Sequence, residues 1–215
     1  MSRKETKEPR DLKGKKVAGS TPGASATLLA MQALRHLGLE PGRDVSILPM
    51  GGTAAGRLAV LESGAVDASL LSVPENSFAR EKGYNELLFL GDVVEFAQSG
   101  FGATEKRIKE SSDEVYRMVR AELRALMYLW DKSRQSEIVE MIMKRWKLGD
   151  RKMAEGIFQD VSRVLAKDAI VSPESVQSLI DLARESAKVT RPVRIEEVVD
   201  FSFVDRARKE LGLTK

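Results

Sequence analysis

From residue 16 onward the apolar positions switch repeatedly between two periods. Lys16-Val17-Ala18-Gly19-Ser20 is a short apolar run ending in Gly and Ser, which predicts a strand. Behind it Ala26, Leu29, Ala30, Ala33 and Leu37 recur at helical spacing, and Gly38 stops the helix. Asp44 to Met50 predicts a second strand. Gly51-Gly52-Thr53 then turns into a helix with Ala54, Leu58 and Leu61 on one face and Gly64 past its end. Val66 to Ser72 predicts a third strand, Pro74 opens a short helix that Gly83 ends, and Leu87-Leu88-Phe89-Leu90 centres a fourth strand over 86–91. The order β-α-β-α-β-α-β predicts a parallel α/β sheet with right-handed crossovers.

Beyond residue 97 the pattern is helical throughout. Ser111-x-x-Glu114 fits a capping box, followed by Val115, Val119, Leu123, Leu126 and Trp130 on one face. Further helices are predicted at about 134–147 (Ile138, Met141, Ile142, Trp146), 150–166 (Met153, Ile157, Val161, Val164), 173–188 and 204–211. Ser172-Pro173-Glu174 supplies the N-terminal signal of the fourth, and Gly149 and Gly212 close the second and last. Composition shifts at the same place: ten glycines lie in 17–97 and five in 98–215. Residues 11–97 are thus expected to form an α/β domain and 98–215 a helical one. There is no internal repeat.

Charge and chemistry narrow the function classes. The net charge of the 215 residues is +3, but residues 1–16 carry seven Lys/Arg against three Asp/Glu, which leaves −1 for the rest. The basic character therefore belongs to the N-terminus, read as a flexible solvated tail over 1–10 rather than a nucleic-acid face. No apolar stretch follows it, so it does not read as a secretory signal, and no run is long enough for a membrane helix. The absence of cysteine excludes disulfides, thiolate metal sites, iron–sulfur clusters and a Cys nucleophile. The single histidine, His36, excludes a multi-histidine metal centre; it sits near a helix C-terminus and reads as a surface residue. No cofactor is implied.

The most informative stretch is Gly19-Ser20-Thr21-Pro22-Gly23-Ala24-Ser25-Ala26, at a strand-to-helix junction where free N–H groups and the helix dipole favour an anion. It is neither a Walker A loop nor a dinucleotide fingerprint. The plainer reading is an ordinary turn with Thr21 or Ser25 as N-cap. Gly51-Gly52-Thr53 and Ser72-Val73-Pro74-Glu75-Asn76 stand at the corresponding ends of the next two strands. Ligands of open α/β sheets bind outside the carboxyl ends of the strands, so three such loops point to one cleft. Arg57, one turn into the second helix, either helps to hold an anion or points to solvent. Asp67 reads as a packing-edge residue or an acid, and Trp130, Trp146 and Tyr128 as packing residues. The pair Glu196-Glu197 belongs to a solvated face.

Asp11-Leu12-Lys13-Gly14-Lys15-Lys16-Val17 resembles the start of lobe two in solute-binding proteins of ABC importers. The likeness continues through Gly38-Leu39-x-Pro41-x-x-Asp44-Val45, Ala59-x-Leu61-x-x-Gly64-x-Val66-Asp67-Ala68, Pro74, Gly83 and Gly100-Phe101-Gly102-Ala103-Thr104. It ends in Val119-Arg120-Ala121, Val198-Val199-Asp200-Phe201 and Glu210-Leu211-Gly212. The group it is most similar to binds nitrate, sulfonate, taurine or thiamine precursors and has the type II periplasmic-binding-protein fold. The resemblance implies a partial version of that fold, lacking the N-terminal part of lobe one. Lobe two is a parallel-rich α/β sandwich over 11–97, and 98–215 are the α-helical return into lobe one. It implies hinge crossings near 9–13 and 92–100. It also implies ligand contacts from Ser20, Thr21, Gly23, Ala24 and Ser25, from Gly52 and Thr53, and from Ser72, Pro74 and Asn76. The implied function is binding of a small anionic or heterocyclic solute in an inter-lobe cleft, followed by docking on membrane permease subunits. No catalysis, nucleic-acid partner or direct membrane insertion is implied. A periplasmic location is implied if the full-length gene carries an upstream signal; the 215 residues themselves have none. Thiamine-pyrimidine synthases of the same superfamily use a cysteine-rich motif with His and Lys, which has no match here. The rival readings are an enzyme, for which Glu75 is the one carboxylate near the loops, a cytoplasmic ligand-sensing module, and an inactive fragment of a binding protein.

Overall fold

The computed structural model of the chain describes residues 1–213 except 51, 95, 96, 98 and 168, and the backbone alone at 186. It forms two units, Met1–Val94 with Leu182–Thr190, and Glu95–Asp181 with Arg191–Lys215. Sequence composition places its break at 97 and does not foreshadow the return of 182–190 to the first unit.

In the first unit Val17 and Ala18 pair on both sides, which makes β1 (Lys16–Gly19) the centre of a parallel three-stranded sheet. After it come α1 (Ser25–His36), β2 (Ser46–Pro49), α2 (Ala54–Glu62), β3 (Ala68–Ser69) and α3 (Glu75–Glu81), and the strand order is β2-β1-β3. Val17 lies opposite Ile47 on one side and Ala68 on the other. One cluster, Leu12, Val17, Leu34, Leu39, Val45 and Ala68, and a second, Ala18, Leu61 and Val66, form the core. Val17, Ala18, Val45, Leu61, Val66 and Ala68 are apolar positions of the predicted strands and helix faces, so the βαβ reading holds, while Leu12, Leu34 and Leu39 join the core from outside those faces. Asp67 proves structural: its carboxylate accepts from the Lys16 N–H at 2.9 Å.

Two expectations fail together, for one reason. Residues 1–10 are not a flexible tail: Ser2 and Thr6 are buried. Ser2 pairs antiparallel with Ala68 on one side and with Asn85 on the other. Met1 and Ser69 exchange two backbone bonds, with the terminal ammonium donating to the Ser69 carbonyl at 3.0 Å and Ser69 N–H to Met1 O at 2.8 Å. The Asn85 amide donates to the carbonyls of Arg3 and Thr6, both at 3.0 Å. The free side of β3 is therefore taken by the chain start. The predicted fourth strand has no ladder to join: residues 86–89 are irregular and Leu90–Asp92 is a short 3-10 turn.

The second unit is helical among its described residues: α4 (Glu105–Glu110), α5 (Ser112–Trp130), α6 (Gln135–Trp146), α7 (Arg151–Val164), the first part of α8 (Pro173–Ala187), and α9 (Ser202–Glu210). The cap at Ser172 is as predicted, its hydroxyl accepting from Ser175 N–H at 3.1 Å. The capping box at Ser111 is not formed. Ser111 makes no side-chain cap bond, because it joins α4 directly to α5 and Glu114 is held by Arg107 at 2.5 Å. Leu123 and Tyr116 of α5 bury against Ala207 of α9. Around that contact Tyr116 donates to Glu210, Arg120 Nε reaches Glu210 at 2.7 Å, and the Arg206 guanidinium lies 3.8 Å from the Tyr116 ring centre. A groove of about 470 Å³ lies between α5 and α6, lined by Ala125, Tyr128, Leu129, Ile138 and Met141. Met141, predicted on the apolar face of α6, is 58% exposed there.

Both units carry a pH dependence that can be measured. Burial lowers the Met1 ammonium from 8.0 to about 6, against an opposing pull from Glu86. Between those values the unfolded chain holds a proton that the folded chain has lost, so stability rises with pH, by about 2–3 kcal/mol in all. Denaturant melts of the 215-residue chain at pH 6 and pH 8 should show this rise, and a variant with residues added ahead of Met1 should lose it. In the second unit, the hydrogen bond from Tyr116 and the charge of Arg120 hold Glu210 below its ordinary 4.5. Its contribution is present above that pH and lost as pH falls, so Glu210→Gln should melt below the parent at pH 7 by a margin that closes toward pH 3.

Candidate functional site

Because β1, β2 and β3 are parallel, their carboxyl ends lie along one edge of the sheet. Gly19 pairs with Pro49, and Ala18 with Ser69, so the loops beginning at Ser20, Met50 and Leu70 leave the sheet side by side. The three predicted loops are therefore brought together in the first unit.

The first loop is the best organised. Its chain passes Gly19 closely: a Cβ there would stand 2.9 Å from Ile47 Cγ2 and 3.0 Å from Thr27 Oγ1. Thr27 then locks the turn. Its hydroxyl oxygen accepts from the Ser20 N–H at 2.9 Å and donates to the Thr21 carbonyl at 3.0 Å. Gly23 takes a left-handed φ of 79° that reverses the chain into α1. Neither Thr21 nor Ser25 is the N-cap. That position is Ala24, which has no capping side chain, so the N–H groups of Ser25 and Ala26 have no intrahelical acceptor, whereas Thr27 N–H bonds the Ala24 carbonyl at 2.9 Å. The hydroxyls of Ser20, Thr21 and Ser25 have no hydrogen-bond partner among the described residues. Ser20 is only 9% exposed, whereas Thr21 and Ser25 are open to solvent.

The second and third loops are more heavily committed. In the second, Gly51 lies outside the described residues. Gly52 is exposed, and Thr53 is the N-cap of α2, accepting from Gly56 N–H at 3.0 Å. In the third, Ser72 is exposed. Pro74, the residue before α3, is buried, as is Asn76, whose N–H donates to the Ser72 carbonyl at 3.1 Å. Pro74 and Asn76 therefore hold the loop rather than front it.

Arg57 departs from the solvent-facing reading. It is 6% exposed and its Nε donates to the Leu70 carbonyl at 2.8 Å, tying α2 to the third loop. Burial lowers its pKa, with Glu75 pulling the other way. The clue in the sequence was its place four residues after Thr53, on the same face of α2 as the cap. Thr27 was also missed; a threonine two residues into a helix gives no signal of the loop it closes. His36 ends α1 and is exposed.

A trough of about 250 Å³ opens beside the first loop, lined by Ser20, Pro22, Thr27, Met31, Ile47 and Pro49. Among the described residues no group of three His, Asp or Glu is placed to hold a metal, and no helix is long and apolar enough to cross a membrane. Chemically, the first loop offers neutral hydroxyl donors and the N–H groups of Ser25 and Ala26, which suit an anion.

Solved structures share this fold. A protein from Bordetella bronchiseptica RB50 superposes with a TM-score of 0.66 at 21% identity, over 98% of this chain and 70% of that one. The periplasmic aliphatic sulphonate binding protein SsuA from Escherichia coli gives 0.65 at 22%, over 93% and 66%. A cysteine-to-serine mutant of DSZB in complex with biphenyl-2-sulfinic acid gives 0.61 at 16%, over 97% and 75%. The chain thus has a partial type II periplasmic-binding-protein fold and spans about two thirds to three quarters of these chains. No curated protein sequence matches it. A profile of NMT1/THI5-like proteins matches residues 1–136, the whole of the α/β sheet and the first two helices of the second unit, and the chain belongs to the NMT1/THI5-like family.

Proposed function

We propose that this chain is a solute-binding protein that takes up a small anion at the first loop of its α/β unit and presents it to the permease subunits of an ABC importer. The observation that carries this reading is the Ser20 hydroxyl, on a residue 9% exposed at the N-terminus of a 12-residue helix, lining the trough with no protein partner among the described residues. An oxyanion seated there would replace water at that hydroxyl and at the N–H groups of Ser25 and Ala26. Thr21, Ser25 and Ser72 stand as further donors at the rim. Ala24 shapes the helix start, Gly23 and Gly52 keep backbone accessible, and Thr53, Pro74 and Asn76 hold their loops in place.

The comparisons support the same chemistry. One matched structure is a sulphonate binding protein and another holds a sulfinic acid, both with an oxyanion head. Nitrate and carboxylates share that head; a thiamine-pyrimidine-like heterocycle does not, and the site favours it less. A periplasmic location belongs to this proposal, since the Escherichia coli protein is periplasmic. Catalysis would need a base and a nucleophile converging on the bound solute. Glu75 is the carboxylate of the third loop and lies in the field of Arg57, with no nucleophile assigned to it.

Thermal melts of the 215-residue chain with nitrate, methanesulfonate, taurine, benzoate and a neutral aminopyrimidine test the reading. An anion at a hundred times its Kd should add about 2.7 kcal/mol of stability. Ser20→Ala should weaken that anion about tenfold, the scale of one hydrogen bond to a charged group. Thr27→Val should weaken it too, by releasing the turn. A shift with the pyrimidine alone, or with no member of the panel, would exclude the proposal.

A further inference from the structure

Helix α5 has two apolar faces. Tyr116, Leu123 and Leu126 are buried on one. On the opposite side Met118, Ala121, Ala125 and Leu129 recur at helical spacing. Met118 is 53% exposed, both alanines are exposed, and Leu129 is half-buried. Ala121, Ala125 and Leu129 line the groove of about 470 Å³ together with Ile138 and Met141 of α6. The two alanines keep its floor low, so another helix can approach closely. A contiguous apolar patch of this kind marks an interaction surface.

The charges along its edges say what fits it. Arg117 and Arg124 stand along one edge of the stripe and Glu122 along the other. Arg124 and Glu122 make no ion pair among the described residues, and Arg117 has only the exposed Asp113, at 3.4 Å. Parallel helices bring a flanking residue opposite the one five positions further on in the partner, and Arg117 and Glu122 are five apart. The face is therefore complementary to a second copy of itself, at two places related by the two-fold axis. We propose that α5 packs parallel and in register against α5 of a second copy of this chain. Ala121 and Ala125 lie near the axis, Arg117 pairs with Glu122 of the second copy, and the Arg124 stem covers its Leu129. The solute site belongs to the other unit, and this inference does not depend on it.

Sedimentation equilibrium of the 215-residue chain, with no ligand added, is the test. The mass should rise from 23.8 kDa toward twice that value as the chain is concentrated. Arg117→Glu and Glu122→Arg each set like charges opposite one another at both symmetric places, and each should weaken the dimer about tenfold. The double variant Arg117→Glu with Glu122→Arg rebuilds the pairs with their signs exchanged, and should return to within about twofold of the parent. Ala121→Arg should abolish the dimer. All three positions are exposed, so melts of the dilute variants should match the parent.

A chain that stays at 23.8 kDa at every concentration overturns the proposal and leaves the groove to a different occupant. A dimer that Arg117→Glu tightens overturns it as well, because antiparallel helices would set Arg117 against Arg124 of the second copy. So does a dimer that the double variant fails to restore, or one that Ala121→Arg leaves unchanged.

Discussion

Everything proposed for the α/β unit depends on how closely β2 and α1 approach β1 at Gly19. A methyl group at that position would sit inside the contact distance of both Ile47 and Thr27. The approach lets one hydroxyl, that of Thr27, reach backbone on both sides of the turn. With Thr27 bonding the backbone of Ser20 and Thr21, the Ser20 hydroxyl is left lining the trough without a protein partner among the described residues. The close approach also places Ile47 against the start of α1, forming one wall of the trough. Donor and trough thus share a single cause. Gly19→Ala would disturb the turn, the donor and the apolar wall at once.

The short strands of this unit would be marginal alone, since β3 has two residues. They are held because the start of the chain closes the open side of β3. Ser2 sits between Ala68 and Asn85, and the Asn85 amide gathers the carbonyls of residues 3 and 6. An enclosed amide satisfying several carbonyls is an efficient way to bury irregular backbone, where every carbonyl needs a donor. Arg57 does a similar task elsewhere in the unit, committing its Nε to the Leu70 carbonyl and so fixing where the third loop begins.

How much of this was legible depends on whether a residue's role is local. Val17, Ala18, Leu29, Leu58 and Leu61 announce their elements through spacing, and Ser172-Pro173 announces its helix through capping. The parallel sheet and the helical second half could therefore be read directly. Residues 1–6 could not. Arg3, Lys4 and Glu5 give the segment the look of solvent-exposed chain, while the residues that decide its fate, Ser2 and Thr6, are small and find their partners more than 60 residues away. The fourth strand was misread for the same reason: its apolar run is genuine, but the ladder position it needed was taken by a distant segment. At the carboxyl edge of the sheet, glycine and serine types mark the three loops that leave the strands side by side. What spacing could not distinguish was which hydroxyls are already engaged. Thr53 is engaged in capping and Ser20 is not, and that difference arises from Thr27 and Gly19 rather than from either residue itself.

The donors that remain open at the first loop are neutral, and this bears on the kind of binding the site can support. The buried guanidinium of Arg57 is turned toward the protein's own backbone, donating from Nε to the Leu70 carbonyl at the start of the third loop. A full ion pair in an enclosed site would hold its partner tightly and release it slowly. Hydroxyls and helix N–H groups instead recognise the geometry of an oxyanion head and exchange readily with water when it departs.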